Sequence, residues 1–263
     1  MKQLILAFQD LALALRHYRI WTQLAWVEIR QRYRRSVIGP WWISISMLIF
    51  ILVMGEVFGH IFKQGLNEYI PFFTAGFLVW TFISASIIES TDLTRVNESF
   101  IKQIKMPFNL YLFKHLTRHT LFFAHNFVVY ILVMMYFHLN PGLTALWAIP
   151  GFILFLINMY WICMLTTLLS ARYRDVIPMI TSCVQVAFFV TPISWMPKLL
   201  PPHSILMRLN PFVYFIGAIR NPLLGSAPNL NTWVYDIGTA VIGLTFTFLI
   251  FAYVRKRIPF WVD

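Results

Sequence analysis

The sequence predicts an all-α integral membrane protein: six transmembrane helices, an N-terminal amphipathic helix in the membrane interface, and short re-entrant helices between spans five and six. Three observations carry this prediction. Hydrophobic residues fill 59% of the 263 positions while charged residues fill only 12%, about half the charge of a water-soluble domain. Six apolar stretches approach the roughly 20 residues that a helix needs to cross the hydrocarbon layer. The basic residues gather in alternate connections, the bias that orients membrane helices.

Residues 1–21 place Leu4, Ile5, Phe8, Leu11, Leu15 and Tyr18 on one face of a helix and Gln9, Arg16 and Arg19 on another, which suits a helix lying on the membrane. The interruptions at Gln9, Asp10, Arg16 and Arg19 do not fit a signal peptide. Then Arg30, Arg32, Arg34 and Arg35 run into a Gly39-Pro40 corner followed by Trp41 and Trp42. The arginines act as a topological anchor, and the indoles mark the headgroup level.

The expected spans are 40–62, 69–88, 110–137, 146–170, 176–196 and 232–254, with Lys114 and Arg118 of the long third span at the inner headgroups. With both termini inside, seventeen of the 21 lysines and arginines are cytoplasmic, and only Lys63, Lys198, Arg208 and Arg220 lie outside. Between spans two and three, Thr91 or Asp92 is expected to cap a short amphipathic helix carrying Val96, Phe100, Ile101 and Ile104, stopped by Pro107. Residues 197–231 are divided by six prolines, and their apolar core, 212–219, is too short to cross. The whole reads as one membrane domain over 1–263, with 1–39 cytoplasmic or interfacial, the spans in 40–254, and 255–263 as a cytoplasmic tail.

Little in the chain points to catalysis. It has no GxxxxGK[ST] phosphate loop, no HExxH and no CxxC, and its aspartates are dispersed. His115 and His119 have the i, i+4 spacing of a metal pair, but Lys114 and Arg118 beside them repel a cation. Neither Glu56 nor Glu89 falls at mid-membrane. Cys163 and Cys183 lie in apolar stretches and read as packing residues. The net charge of +11 fits anionic lipid or a lipid-linked substrate better than nucleic acid, for which no soluble basic face is available. A transport subunit that draws energy from a partner is the expectation.

Several stretches carry a resemblance. VEIRQRYRRSVIGPWW (27–42), ESFIKQIKMPFNLY (98–111), SARYRDV (170–176), TPISWMP (191–197) and NPFVYFIGAIRNPLLG (210–225) follow one another in an order and spacing similar to membrane subunits of ABC exporters for bacterial surface polysaccharides. The exported glycans in that family are O-antigen, capsule and wall teichoic acid. The resemblance implies a homodimer of permeases with two copies of a separate ATPase, which would hold the ATP and Mg that this chain has no motif to bind. It implies a channel lined mainly by spans one and five, through which a glycan on undecaprenyl diphosphate leaves across the inner membrane.

The same resemblance places a substrate entrance at Arg30, Arg32, Tyr33, Arg34 and Arg35. Guanidinium forks suit a diphosphate, yet side chains so closely spaced point in several directions, so at most two face one headgroup. Along the channel, Phe50, Met54, Phe58 and Phe62 form an i, i+4 stripe, and Gln185, Phe188, Phe189 and Trp195 flank a kink at Pro192. Asn97, Phe100, Ile101 and Lys102 belong to the segment 92–105 that the family docks into its ATPase, with Arg172, Arg174 and Asp175 as a second contact. Asn210, Tyr214, Arg220 and Asn221 would form the exit gate. No added soluble domain is present to recognise a glycan terminus, so such recognition is expected of the ATPase. Export of O-antigen leads, capsule or teichoic acid follows, and a drug or small-lipid exporter or a membrane transferase are the competing classes.

Overall fold

The computed structural model describes every residue except Met1, Arg35, Pro40, Leu200, Pro202, His203, Val262 and Asp263, and omits the Leu206 side chain. The entrance assignment of Arg35 therefore lies outside the described residues.

The N-terminal segment forms two helices, α1 (Lys2–Arg16) and α2 (Tyr18–Arg32), where a single one over 1–21 was expected. His17 leaves helical geometry at φ −90°, ψ 36°, and the Trp21 indole donates back to the Ala14 carbonyl at 3.1 Å, which fixes the bend. Ala7, Asp10 and Ala14 are buried, and small side chains let α1 approach the bundle closely. Ile5 and Leu15 stay exposed, as an interfacial helix requires, while Leu4 packs on the core and the Phe8 ring meets Phe248 at 4.6 Å, so the apolar stripe is divided between the surface and the bundle. The Arg30 and Arg32 charges fall in the last turn of α2, where the helix dipole favours cations, and Gly39 turns the chain at φ +62°.

α3 (Trp41–Ile61) turns Ser44, Met47, Ile51, Gly55 and Gly59 inward at three- and four-residue spacing. A side chain at Gly55 or Gly59 would come within 2.9 Å of Ile70 or 2.6 Å of Leu66, both on α4 (Leu66–Ser90). α4 is the central helix, buried along most of its length and packed by α3 and by the later helices Phe108–Tyr136, Ala148–Arg172, Val176–Val190 and Pro211–Leu223. Lipid is as apolar as leucine, so such close packing, rather than escape from water, holds these helices together.

The connection after α4 departs from expectation. It holds two short helices, α5 (Leu93–Val96) and α6 (Glu98–Gln103), and neither Thr91 nor Asp92 caps them through its side chain. Asp92 instead accepts two 2.6 Å bonds from Arg95. The break at Asn97 follows from its buried amide, which donates to the Leu93 carbonyl at 2.7 Å and accepts from Lys114 at 2.7 Å. α7 (Phe108–Tyr136) is capped from a distance: Asp10 of α1 accepts from the Phe108 and Asn109 amides, each at 3.1 Å.

α8 (Ala148–Arg172) crosses beside α12 (Leu230–Val254), and α9 (Val176–Val190) lies between α8 and α4. Among the described residues, five helices are long and apolar enough to cross a membrane, counting α8 and α12 with their flanking turns, and α9 is shorter. The expected fifth span, 176–196, stops at Val190, so Pro192 ends this helix where a kink was expected. Pro192 disfavours helical geometry at Thr191, which sits at ψ 137°. The remaining 15 residues reach about 22 Å, against about 30 Å of hydrocarbon. Residues 191–194 are buried irregular backbone.

Two short helices follow, α10 (Ile205–Leu209) and α11 (Pro211–Leu223), as the proline pattern predicts. α11 packs on α4, α8 and α12, and a Cβ at Gly151 of α8 would stand 2.5 Å from the Ala218 carbonyl oxygen. α13 (Ile258–Trp261) closes the described chain against α8, where Arg172 lies over the Trp261 ring at 5.7 Å.

Candidate functional site

The arginine-rich end of α2 borders a cavity of about 740 Å³ whose lining includes Trp26, Arg30, Tyr33 and Arg34 together with Phe122 and His125 of α7. Arg30 and Arg34 are four apart and share its wall, and neither has an ion pair among the described residues. No carboxylate lines this cavity, and the buried His125 Nε2 has no hydrogen-bond partner. Partial burial raises the Tyr33 phenol above its ordinary value, against the pull of Arg32, and so keeps it a neutral donor. Two cations, a phenol and an imidazole therefore converge on an otherwise apolar hollow, a donor set suited to an amphipathic anion.

Arg32 turns the other way. It lies 3.9 Å from Glu89 and borders a second cavity, of about 240 Å³, that extends past Tyr33 to Thr81 and Ala85 of α4. Beneath it runs a chain of polar groups that ties four segments together. Lys114 donates to Glu28 of α2 at 2.5 Å and to Asn97 at 2.7 Å. Arg118 donates to Glu28 at 3.0 Å and to Glu89 of α4 at 2.5 Å. Lys114 and Arg118, expected among the inner headgroups, are thus largely enclosed by their partners. His115 and His119 are buried as well, with His115 Nε2 on the Ser86 carbonyl at 2.9 Å and His119 Nε2 at 3.3 Å from Glu89.

Ligand atoms of Glu89, His115 and His119 lie within 4.8 Å of one another, near enough to test for a metal. Arg118 already occupies the Glu89 carboxylate and approaches His115 Nδ1 at 3.3 Å, so a dication would face a buried guanidinium. The set works as a hydrogen-bonded ion cluster.

α4 then supplies what the resemblance omitted. Phe77, one turn beyond Thr81, stacks on Phe50 of α3 with centroids 4.7 Å apart and meets Phe188 of α9 at 6.5 Å. Trp80 meets Phe188 and Phe212, each at 5.7 Å, so rings from α3, α4, α9 and α11 form one row. Of the other expected lining residues, Met54 is half-buried, Phe58 stacks on Phe62, and Gln185 and Phe189 point out of the bundle. Trp195 donates to the Phe189 carbonyl at 2.9 Å and tethers the chain just after α9.

In the connection between α4 and α7, Val96 and Phe100 are exposed while Ile101 turns inward onto the core. Asn97 is buried, and Lys102 pairs with Glu98 at 2.8 Å. Arg172, Arg174 and Asp175 are exposed in the connection between α8 and α9. The four expected gate residues separate into different roles. Asn210 caps α11 by accepting from Phe212 N at 2.9 Å and donates to Thr191 at 2.8 Å. Tyr214 stacks on Tyr235 at 3.9 Å, and Asn221 is half-buried. Arg220 is buried, donates to the Pro192 carbonyl at 2.5 Å, and lies 4.0 Å over the Phe72 ring. It braces the end of α9 against α4.

Glu28, His125 and Phe77 were not singled out from the sequence. Glu28 alone left a signal, as the acid inside the basic EIRQRYRR run. His125 and Phe77 acquire their neighbours only through helix packing.

Comparison with known proteins agrees with this layout. The chain is 22% identical over 207 residues to an O-antigen export system permease protein RfbA of Klebsiella pneumoniae, covering 77% of this chain and 79% of that one. A permease of the same name from Myxococcus xanthus is 22% identical over 193 residues, covering 71% of this chain and 73% of its own. A family profile described as ABC-2 type transporter matches residues 20–224, from α2 through α11, and the chain therefore belongs to the ABC-2 transporter membrane family.

Proposed function

We propose that this chain is the permease half of an exporter that, as a homodimer with two copies of a separate ATPase, moves lipid-diphosphate-linked O-antigen outward across the bacterial inner membrane. The carboxylate-free cavity at the end of α2 carries the reading. Arg30 and Arg34 receive the diphosphate there, with Tyr33 and His125 as further donors and the apolar wall beside Trp26 and Phe122 taking the first isoprene units. Tyr33 lines both this cavity and the smaller one leading to α4, so it and Arg32 stand between the headgroup and the row of rings. Flat apolar rings let successive sugars slide without fixing many hydrogen bonds. In this reading α9 counts as the fifth span, and the exposed faces of α3 and α9 meet their counterparts in the second copy to complete the channel.

The ATPase supplies the nucleotide and magnesium chemistry. Val96 and Phe100 dock into it, Arg172, Arg174 and Asp175 add a second contact, and Lys114 passes movement from Asn97 to Glu28 on the entrance helix. The relatives named as O-antigen export permeases support the choice of cargo.

Deleting the gene should leave lipid-linked glycan accumulating inside the cell and remove O-antigen from the surface. Normal surface display would reject export as the function. In reconstituted transporter, Arg30→Ala and Arg34→Ala should each weaken substrate-stimulated ATP hydrolysis about tenfold, the loss of one charge-assisted contact, and spare basal hydrolysis. Equal loss of both would move these arginines from substrate binding to docking.

A further inference from the structure

A separate cavity of about 450 Å³ opens between α1, the turn joining α6 to α7, and the C-terminal turn. Its floor includes Leu13, Ile101 and Ile258, and its polar lining carries Lys105, Arg255 and Lys256. Among the described residues one carboxylate lies there, that of Asp10. It already accepts from the Phe108 and Asn109 amides at 3.1 Å, from the Asn109 side chain at 2.8 Å and from Arg255 Nε at 3.2 Å. Among the described residues Lys105 and Lys256 have no ion pair. Tyr111 also lines the cavity; it is 4% exposed, and its hydroxyl has no hydrogen-bond partner. A further cavity, of about 230 Å³ between α2, α4, α5 and α7, differs: there Arg32, Lys114 and Arg118 stand against Glu28, Glu89 and Asp92.

We propose that this cavity binds the phosphodiester of an anionic membrane phospholipid, with Lys105 and Lys256 at the phosphate oxygens and the Tyr111 hydroxyl as the inner donor. A phosphodiester offers a single negative charge and two free oxygens, which matches surplus cations around one unspent hydroxyl. The apolar floor favours a lipid over a soluble anion, because glycerol and the first methylenes of the acyl chains have a wall to lie against. α1 forms one side of the cavity and presents Ile5 and Leu15 outward, so the bound lipid would continue into the layer in which α1 rests. A lipid held here ties α1 and the C-terminal turn to the end of the segment assigned to ATPase docking. The inference rests on the inner-surface placement of these elements and is independent of the cargo.

The test is native mass spectrometry of the full chain in detergent micelles, offered equal amounts of phosphatidylglycerol and phosphatidylcholine. Phosphatidylglycerol should be retained preferentially, and Lys105→Gln and Lys256→Gln should each lower that preference about fivefold. Tyr111→Phe removes only the hydroxyl and should weaken retention of phosphatidylglycerol. Both lysines are exposed, so their neutral variants keep the fold, which gel filtration checks. Equal retention of the two lipids, or an undiminished preference in the double lysine variant, would overturn the site. Efficient displacement by millimolar inorganic phosphate would assign it to a soluble anion and overturn the lipid. A null export phenotype bears on the cargo alone and leaves this readout unchanged.

Discussion

Lys114 shows what a single charge does at the edge of a low-dielectric bundle. Its ammonium is nearly enclosed, with a 2.5 Å contact to Glu28 and a 2.7 Å bond to Asn97. Replacing it by methionine keeps the length of the side chain but leaves Glu28 with only Arg118, and buried pairs broken on one side typically lose about 3–5 kcal/mol. Lys114→Met should therefore lower the unfolding midpoint of the purified permease markedly, whereas Lys63→Met, on an exposed turn, should not. Asn158 makes the complementary case without charge. It donates to the Asp236 carbonyl at 3.1 Å and accepts from Trp161 at 2.9 Å and from Thr239 at 3.2 Å, so α8 and α12 share a satisfied polar knot. Asn158→Leu should cost about 1–2 kcal/mol in the same measurement, the range for hydrogen bonds inside membranes. A variant as stable as the parent would show that the knot is dispensable.

At the scale of elements, close approach is the governing condition. Gly151 stands against the backbone of α11, and a backbone oxygen 2.5 Å from a new Cβ cannot swing aside as a side chain does. Gly151→Val should lose about 1–3 kcal/mol by overpacking, visible as reduced yield of folded protein. Gly243→Ala would put its Cβ well inside contact distance of the Trp161 ring, which is held by its bond to Asn158, and should reduce the yield as well. Phe100 poses the opposite problem, as a ring left uncovered on a six-residue helix. Phe100→Asp should abolish co-purification with the ATPase while leaving the permease folded. Retained association would place docking elsewhere on the chain. That the segment is two short helices around Asn97, where its periodicity reads as one amphipathic helix, follows from the bond to Lys114, a partner 17 positions away.

Over the whole molecule, coverage is uneven. α4 is enclosed, while α3 and α9 flank it with outward faces bearing Leu52, Val53, Val186 and Phe189. A homodimer that closes its channel with these faces should give disulfide-linked dimers from single cysteines introduced at such positions in the native cysteine background minus exposed Cys183. Monomers at every position on both helices would place the subunit interface elsewhere. The sequence by itself determined the all-α membrane class, the break-up of residues 197–231 and the basic run ahead of the first span. These follow from composition, from proline's missing N–H and from charge asymmetry, all of which are local. Closely spaced arginines point in several directions because the angular spacing of helix positions is fixed by geometry; Arg30 and Arg34 line one cavity and Arg32 borders another. Only the tertiary structure decided that Arg220 braces the end of α9, that Phe77 joins the rings of α3 and α9, and that His125 lines one cavity with Arg30 and Arg34. Each depends on which helix faces which, and in a medium as apolar as the side chains themselves that choice is made by packing and buried polar partners, which sequence periodicity does not encode.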